Sequence, residues 1–329
     1  MPDITKPTDI TEKTSPVIHV SSSPHILDAG AGTKRVMIDV IISLIPVMAA
    51  SVFFFRLYAV KQIIICTLSC LVAEFIFVRA RGKSITINDF SAVVTGIILA
   101  FSLPPSMPWF VGVIGAFAAI GLGKILFGGL GMNIFNPAMV GRAFVIVAFT
   151  GLLGASAYTN LSGTIDAVSG ATPLTALKYS GIHTALSNLF WGNTPGSLGE
   201  TSVVACVLGG LFLIYRKAAS WEIPVSVIAT IAIIAGIVDL AGGHSGVFFY
   251  SYLFGGATMF GAFFIATDPA TSPLTFKGKV CFGIGVGFLT MVMRMYSGYP
   301  ECFMFAILLM NAVTPLINRW FIPTPLGGN

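Results

Sequence analysis

Charge is scarce in this chain. Only 9% of its 329 residues are Asp, Glu, Lys or Arg, against about 25% in a soluble domain. With 55% hydrophobic residues and a mean hydropathy of +0.90, most of its surface must face lipid. Histidine is sparse too. His19, His25, His183 and His244 are scattered, which argues against haem or a dedicated metal site. The five cysteines (Cys66, Cys70, Cys206, Cys281 and Cys302) sit in apolar runs without a close C-x-x-C cluster. An iron–sulfur centre held by this chain alone is therefore not expected. Cys66 and Cys70 could share a helix face, a spacing that packing explains. No G-x-G-x-x-G follows a strand pattern. No basic stripe with interleaved aromatics accompanies the net charge of +5, so nucleic acid is not an expected partner. Residues 1–33 lack the long apolar core of a signal peptide and read as a polar tail.

What the chain does have is apolar runs. A spanning helix needs about 20 apolar residues. Candidate runs cover roughly 36–55, 57–78, 90–104, 108–127, 138–154, 202–215, 223–241, 246–266, 280–294 and 302–318. The third, sixth and ninth are short, a feature that often marks a binding site in a membrane fold. The expected fold is an all-α polytopic membrane protein of about ten helices.

Basic residues set the orientation. With the N-terminus cytoplasmic, the inside segments hold Lys6, Lys13, Lys34, Arg35, Arg79, Arg81, Lys83, Lys124, Arg216, Lys217, Lys277, Lys279 and Arg319. The outside holds Arg56, Lys61, Lys178 and Arg294, and Arg142 falls within a run. This asymmetry predicts both termini inside and the long polar loop outside, in a cell (inner, cytoplasmic) membrane.

Landmarks recur along the chain. Gly96, Pro104 and Pro108 are matched by Gly261, Pro269 and Pro273 at an offset of 165, and Pro137 and Ala143 by Pro300 and Ala306 at 163. Five helices per half is an odd number, so the second half starts from the opposite side and the repeat is inverted. The expected organisation is a polar tail (1–35), a first repeat (36–154), an outward loop (155–200), a second repeat (201–319) and a C-terminal tail (320–329).

The outward loop contains Asp166, Ser169, Gly170, Ala171 and Thr172 in the pattern D-x-x-S-G-A-T. Its Gly and Pro punctuation would present a hydroxyl on a turn. By spacing alone, an ordinary polar loop explains it as well. The pattern resembles the flavinylation motif of membrane redox complexes. The chain from 20 to 322 resembles the family that groups D subunits of the Rnf complex (ferredoxin:NAD oxidoreductase) with B subunits of the sodium-pumping NADH:quinone reductase. Further stretches that fit are Ser23-Pro24-His25, residues 131–138 (GMNIFNPA), residues 196–202 (GSLGETS) and residues 266–269 (ATDP). The missing long N-terminal extension favours the Rnf side.

The resemblance implies a redox role. Thr172 would carry covalent FMN through a phosphoester, with Asp166, Ser169, Gly170 and Ala171 as recognition sequence for a flavin transferase. It also implies other membrane and peripheral subunits as partners and Na+ or H+ as the translocated ion, and it allows a second, non-covalent flavin such as riboflavin. No complete active site is expected in this chain alone.

Several other residues are candidates. Asn133, Asn136 and Arg142 lie around the start of the fifth run; they could contact a flavin, or the asparagines could cap the helix and Arg142 could snorkel. Gly199, Glu200, Thr201 and Ser202 open the sixth run, where helix amides could cradle an anion. Among acids in or beside apolar runs (Asp39, Glu74, Asp239, Asp268), Asp268 ranks first for an ion route. Phe53, Phe54, Phe55, Phe248 and Phe249 sit at outward ends, where interfacial anchoring explains them. The competing reading is a channel or secondary transporter without a redox role, which would have no use for a flavin-bearing Thr172.

Overall fold

The computed structural model describes residues 32–82, 87–152, 159–160, 168–169, 172–200, 202–242, 246–297 and 302–322. The architecture is all-helical, apart from a two-residue antiparallel pairing of Thr159–Asn160 with Val168–Ser169. The first half contains α1 (Thr33–Phe55), α2 (Leu57–Ala80), α3 (Ser91–Ser102), α4 (Trp109–Ile120) and α5 (Pro137–Ala148). Two short helices follow in the loop, α6 (Pro173–Ser180) and α7 (Leu186–Trp191). The second half contains α8 (Val203–Tyr215), α9 (Glu222–Gly242), α10 (Val247–Phe254), α11 (Thr258–Phe260), α12 (Phe276–Tyr296) and α13 (Phe303–Trp320).

Among the described residues, α1, α2, α9, α12 and α13 are long and apolar enough to cross a membrane. α10 and α11 make one further span, bent by 50° at their break. Four shorter apolar helices, α3, α4 with its continuation to Ile125, α5 and α8, complete the ten apolar segments expected. This is a polytopic membrane protein. Two expectations change. The ninth run is not short: Thr275 accepts a hydrogen bond from Gly278 N–H and starts α12 early, giving 21 residues. The eighth run is not continuous: it breaks at residues 255–257, where Gly256 takes a φ of +64° that a side chain disfavours.

The two halves have counterpart helices in the same order. α2 and α9 start 165 positions apart, at Leu57 and Glu222. α2 packs on α4 as α9 packs on α12, and α4 on α5 as α12 on α13. α1 and α8 pack on each other across the seam. Within the first half, the backbones of α2 and α3 approach so closely that a Cβ on Gly96 would lie 2.6 Å from Thr67 Cα. Helix starts follow the sequence. Asn136 accepts from Met139 N–H with Pro137 at the first helical position of α5, and Ser202 accepts from Ala205 N–H at α8.

Candidate functional site

Two sites stand out. The first is the loop helix α6. Thr172 is its N-cap: the Thr172 hydroxyl oxygen accepts from Thr175 N–H (3.4 Å) and pairs with the Thr175 hydroxyl (2.9 Å). Pro173 takes the first helical position, and Gly181 ends the helix in the left-handed region. Thr172 is buried, at 1% exposure.

α6 is docked, not free. Lys178 Nζ donates to the carbonyls of Arg294 (2.8 Å) and Ser297 at the end of α12. Leu174 packs at the α10–α11 break, where a Cβ on Gly255 would lie 3.3 Å from its side chain. That break leaves carbonyls without helical partners. The buried Arg294 guanidinium donates to Tyr252 O (2.7 Å), Gly255 O (3.4 Å) and the Thr258 hydroxyl (2.8 Å), satisfying them where lipid would not.

The second site is a partly open cavity at the seam of the halves. Its walls come from α1 (Met37, Val40), α3 (Val94, Thr95, Ile98), α8 (Leu213) and Phe264 of the second half. Its polar groups are Ser91, Lys124, Asn133, Asn136, Thr267 and Asp268. The backbone forms π-helical turns beside it, at Gly121–Ile125 and Gly261–Ile265; such bulges are frequent at functional sites. Lys124 rides on the first of these turns. It is buried and salt-bridged to Glu74 at 2.8 Å.

Asn136 has two roles. It caps α5, and its N–H donates to the Asn311 side chain of α13 at 3.2 Å. Asn311 in turn donates to Thr271 O at 3.3 Å, tying the first half to the connection after the broken α10–α11 span. Asp268 lies in that connection. It accepts from Ala270 N–H (3.3 Å) and the Thr271 hydroxyl (3.2 Å). Burial pushes its carboxyl above the ordinary range, and these two hydrogen bonds pull it back.

The structure thus brings Asn133, Asn136 and Asp268 together. Gly199 lies elsewhere, in a 3₁₀ turn (Leu198–Glu200) wedged into the bundle. A Cβ there would meet Phe101 and Phe260 at 3.1 Å, so no open cradle faces its backbone. Arg142 is buried on α5 and does not snorkel. Asp166, Gly170, Ala171 and Thr201 lie outside the described residues, as does the Ser169 side chain. Of the other acids, Asp39 pairs with Arg216 at 3.2 Å. Asp239 accepts from Gly246 and Phe248 N–H at the start of α10.

Sequence reasoning missed the Glu74–Lys124 pair and Arg294. It placed Lys124 in an inside loop and Arg294 at an outer end. The signal was present for both: each cation falls in or against an apolar run, where it needs a partner.

Comparison with known proteins gives a consistent picture. Residues 19–327 match the NQR2, RnfD, RnfE family. The chain is similar to the D subunit of the Na(+)-translocating ferredoxin:NAD(+) oxidoreductase complex of Acetobacterium woodii, 44% identical over 92% of each chain. It is 40% identical to the D subunit of the proton-translocating ferredoxin:NAD(+) oxidoreductase complex of Clostridium ljungdahlii, over 94% of this chain and 96% of that one. It is 38% identical to the D subunit of the ion-translocating oxidoreductase complex of Actinobacillus succinogenes, over 94% and 97%.

Proposed function

The chain belongs to the NQR2, RnfD, RnfE family, and on that footing we propose that it is the multi-pass D subunit of an ion-translocating ferredoxin:NAD oxidoreductase and carries FMN as a phosphoester on Thr172. Its partners are the other membrane and peripheral subunits of that complex, with a flavin transferase acting during maturation. The termini lie in the cytoplasm and α6 on the outer face. The translocated ion is Na+ or H+.

The placement of Thr172 carries the cofactor assignment. Its hydroxyl stands at the N-terminus of α6, within the D-x-x-S-G-A-T pattern. A phosphodiester there keeps a negative charge, which the helix start favours by about 0.3–1 kcal/mol. The residues therefore fit the group. Bound FMN supplies the redox chemistry. The chain fixes its position: Thr172 tethers it, Thr175 offers a hydroxyl and an N–H beside the tether, and Leu174 and Lys178 hold the helix to the bundle.

The cavity at the seam supports a second, non-covalent flavin such as riboflavin. Its lining is mostly apolar with a few convergent polar groups, the make-up of a small-molecule site. Apolar side chains suit a ring system, and Asn133 and Asn136 suit its polar edge.

Mass analysis of the peptide holding Thr172, on protein from cells with the transferase, tests the assignment. The expected result is an FMN adduct on Thr172. An unmodified peptide in an assembled complex sinks it and leaves the transporter reading standing.

A further inference from the structure

We propose that the docked state of α6 closes Thr172 to its transferase, so that FMN is attached only when α6 lifts from the bundle, with Lys178 as the latch. The inference rests on the FMN assignment above. Thr172 is 1% exposed, and its oxygen is engaged by both the hydroxyl and the N–H of Thr175. The bonds to Thr175 lie within α6 and travel with it; two contacts hold the helix on the bundle: Lys178 on the carbonyls of Arg294 and Ser297, and Leu174 against Gly255 and Gly256.

Attachment needs the opposite geometry. The threonine oxygen must reach phosphorus in line with the departing group. The donor class is a flavin dinucleotide. The Thr172 Oγ–P bond forms as the pyrophosphate P–O bond breaks, a nucleoside monophosphate leaves with the electron pair, and the hydroxyl proton passes to a base of the transferase. No electrons change hands between redox centres. An oxygen that is buried in the docked state cannot take part. Lifting α6 exposes it by detaching Lys178 from two backbone carbonyls and Leu174 from Gly255 and Gly256, a local event that leaves the bundle helices in place.

After transfer, Thr172 has no proton to donate. The Thr175 hydroxyl is then available to a phosphate oxygen, which makes Thr175 a positioning residue for the tethered group.

The test uses the full chain, purified in detergent from cells lacking the transferase, then incubated with transferase and flavin dinucleotide. Modification of the Thr172 peptide is followed by mass. Lys178→Met should raise the rate roughly tenfold, the change expected when a charge-assisted hydrogen bond is lost from a local opening equilibrium. Lys178→Arg, which keeps a donor, should stay slow. Equal rates in all three overturn the latch. A second measurement does not depend on flavin or on how Lys178→Met folds: in a Cys281→Ser background, Thr172→Cys should react with a maleimide at least about tenfold more slowly than Ser180→Cys, as a closed site requires. Equal labelling overturns the closed state. Slow labelling with no flavin on any variant overturns the FMN assignment instead, and with it the maturation step.

Discussion

The Lys124 ammonium lies 2.8 Å from both carboxylate oxygens of Glu74, with the Ser91 hydroxyl 2.6 Å from the same nitrogen. Glu74 is fully buried and Lys124 is 2% exposed. The pair joins the π-helical turn after α4 to α2 and to the first residue of α3. It also fixes one wall of the cavity at the seam. Two opposite charges in an apolar bundle are tolerated because each satisfies the other.

Removing one partner should therefore hurt more than removing both. Lys124→Met strands the Glu74 charge and should cost about 3–5 kcal/mol. Glu74→Leu with Lys124→Met should recover most of that loss. Thermal unfolding of the purified protein in detergent measures both. A single variant as stable as the parent would mean that the pair is not charged in the folded protein.

Thr172→Ala should abolish covalent flavin, read as in-gel fluorescence of the denatured band. It should also cost about 1 kcal/mol locally, because α6 loses its N-cap. Thr172→Ser restores the cap. Ser169→Ala should reduce flavin less, since its role is recognition. Covalent flavin retained in Thr172→Ala would place the attachment elsewhere.

Orientation has a direct check. A cysteine at Ser180, exposed at the end of α6, should react with an impermeant thiol reagent in spheroplasts. A cysteine at Lys277, exposed at the start of α12, should react only after lysis. The reverse pattern would invert the topology drawn from the basic residues.

Helix number and order were legible in the sequence because lipid imposes a simple rule: a span is a long apolar run. The start of α6 was not read: the Gly and Pro punctuation suggested a turn that presents the Thr172 hydroxyl, whereas Thr172-Pro173 is a cap and a first helical residue and the hydroxyl side chain is buried. The side-chain partners were not legible either. Lys124 looks like a loop residue at the end of its run, and only the π-helical turn aims it inward at Glu74, 50 positions away. The break at residues 255–257 could be suspected from Gly255-Gly256, but not its support, because Arg294 arrives from another helix. Asn136 was readable as a cap, whereas its bond to Asn311 joins the two halves across 175 positions.

The last prediction concerns Asp268, which lines the cavity together with Lys124 and Asn133. Its carboxyl titrates above the ordinary range because burial outweighs the hydrogen bonds from Ala270 and Thr271. The folded chain thus holds this proton more tightly than the unfolded chain. The resulting stability is fully present below the ordinary carboxyl range and is lost as pH rises through the folded pKa. Asp268→Asn removes this dependence, so its melting temperature should gain on the parent between acid and neutral pH. An acid that can hold or release a proton on the wall of this cavity, beside Asn133 and Lys124, is suited to pass a cation inward. In the assembled complex, Asp268→Asn should therefore lower ion transport in proteoliposomes more than electron transfer, with covalent flavin unchanged. If both rates match the parent while the stability difference persists, Asp268 only shapes the turn after the broken α10–α11 span, and the ion path runs elsewhere.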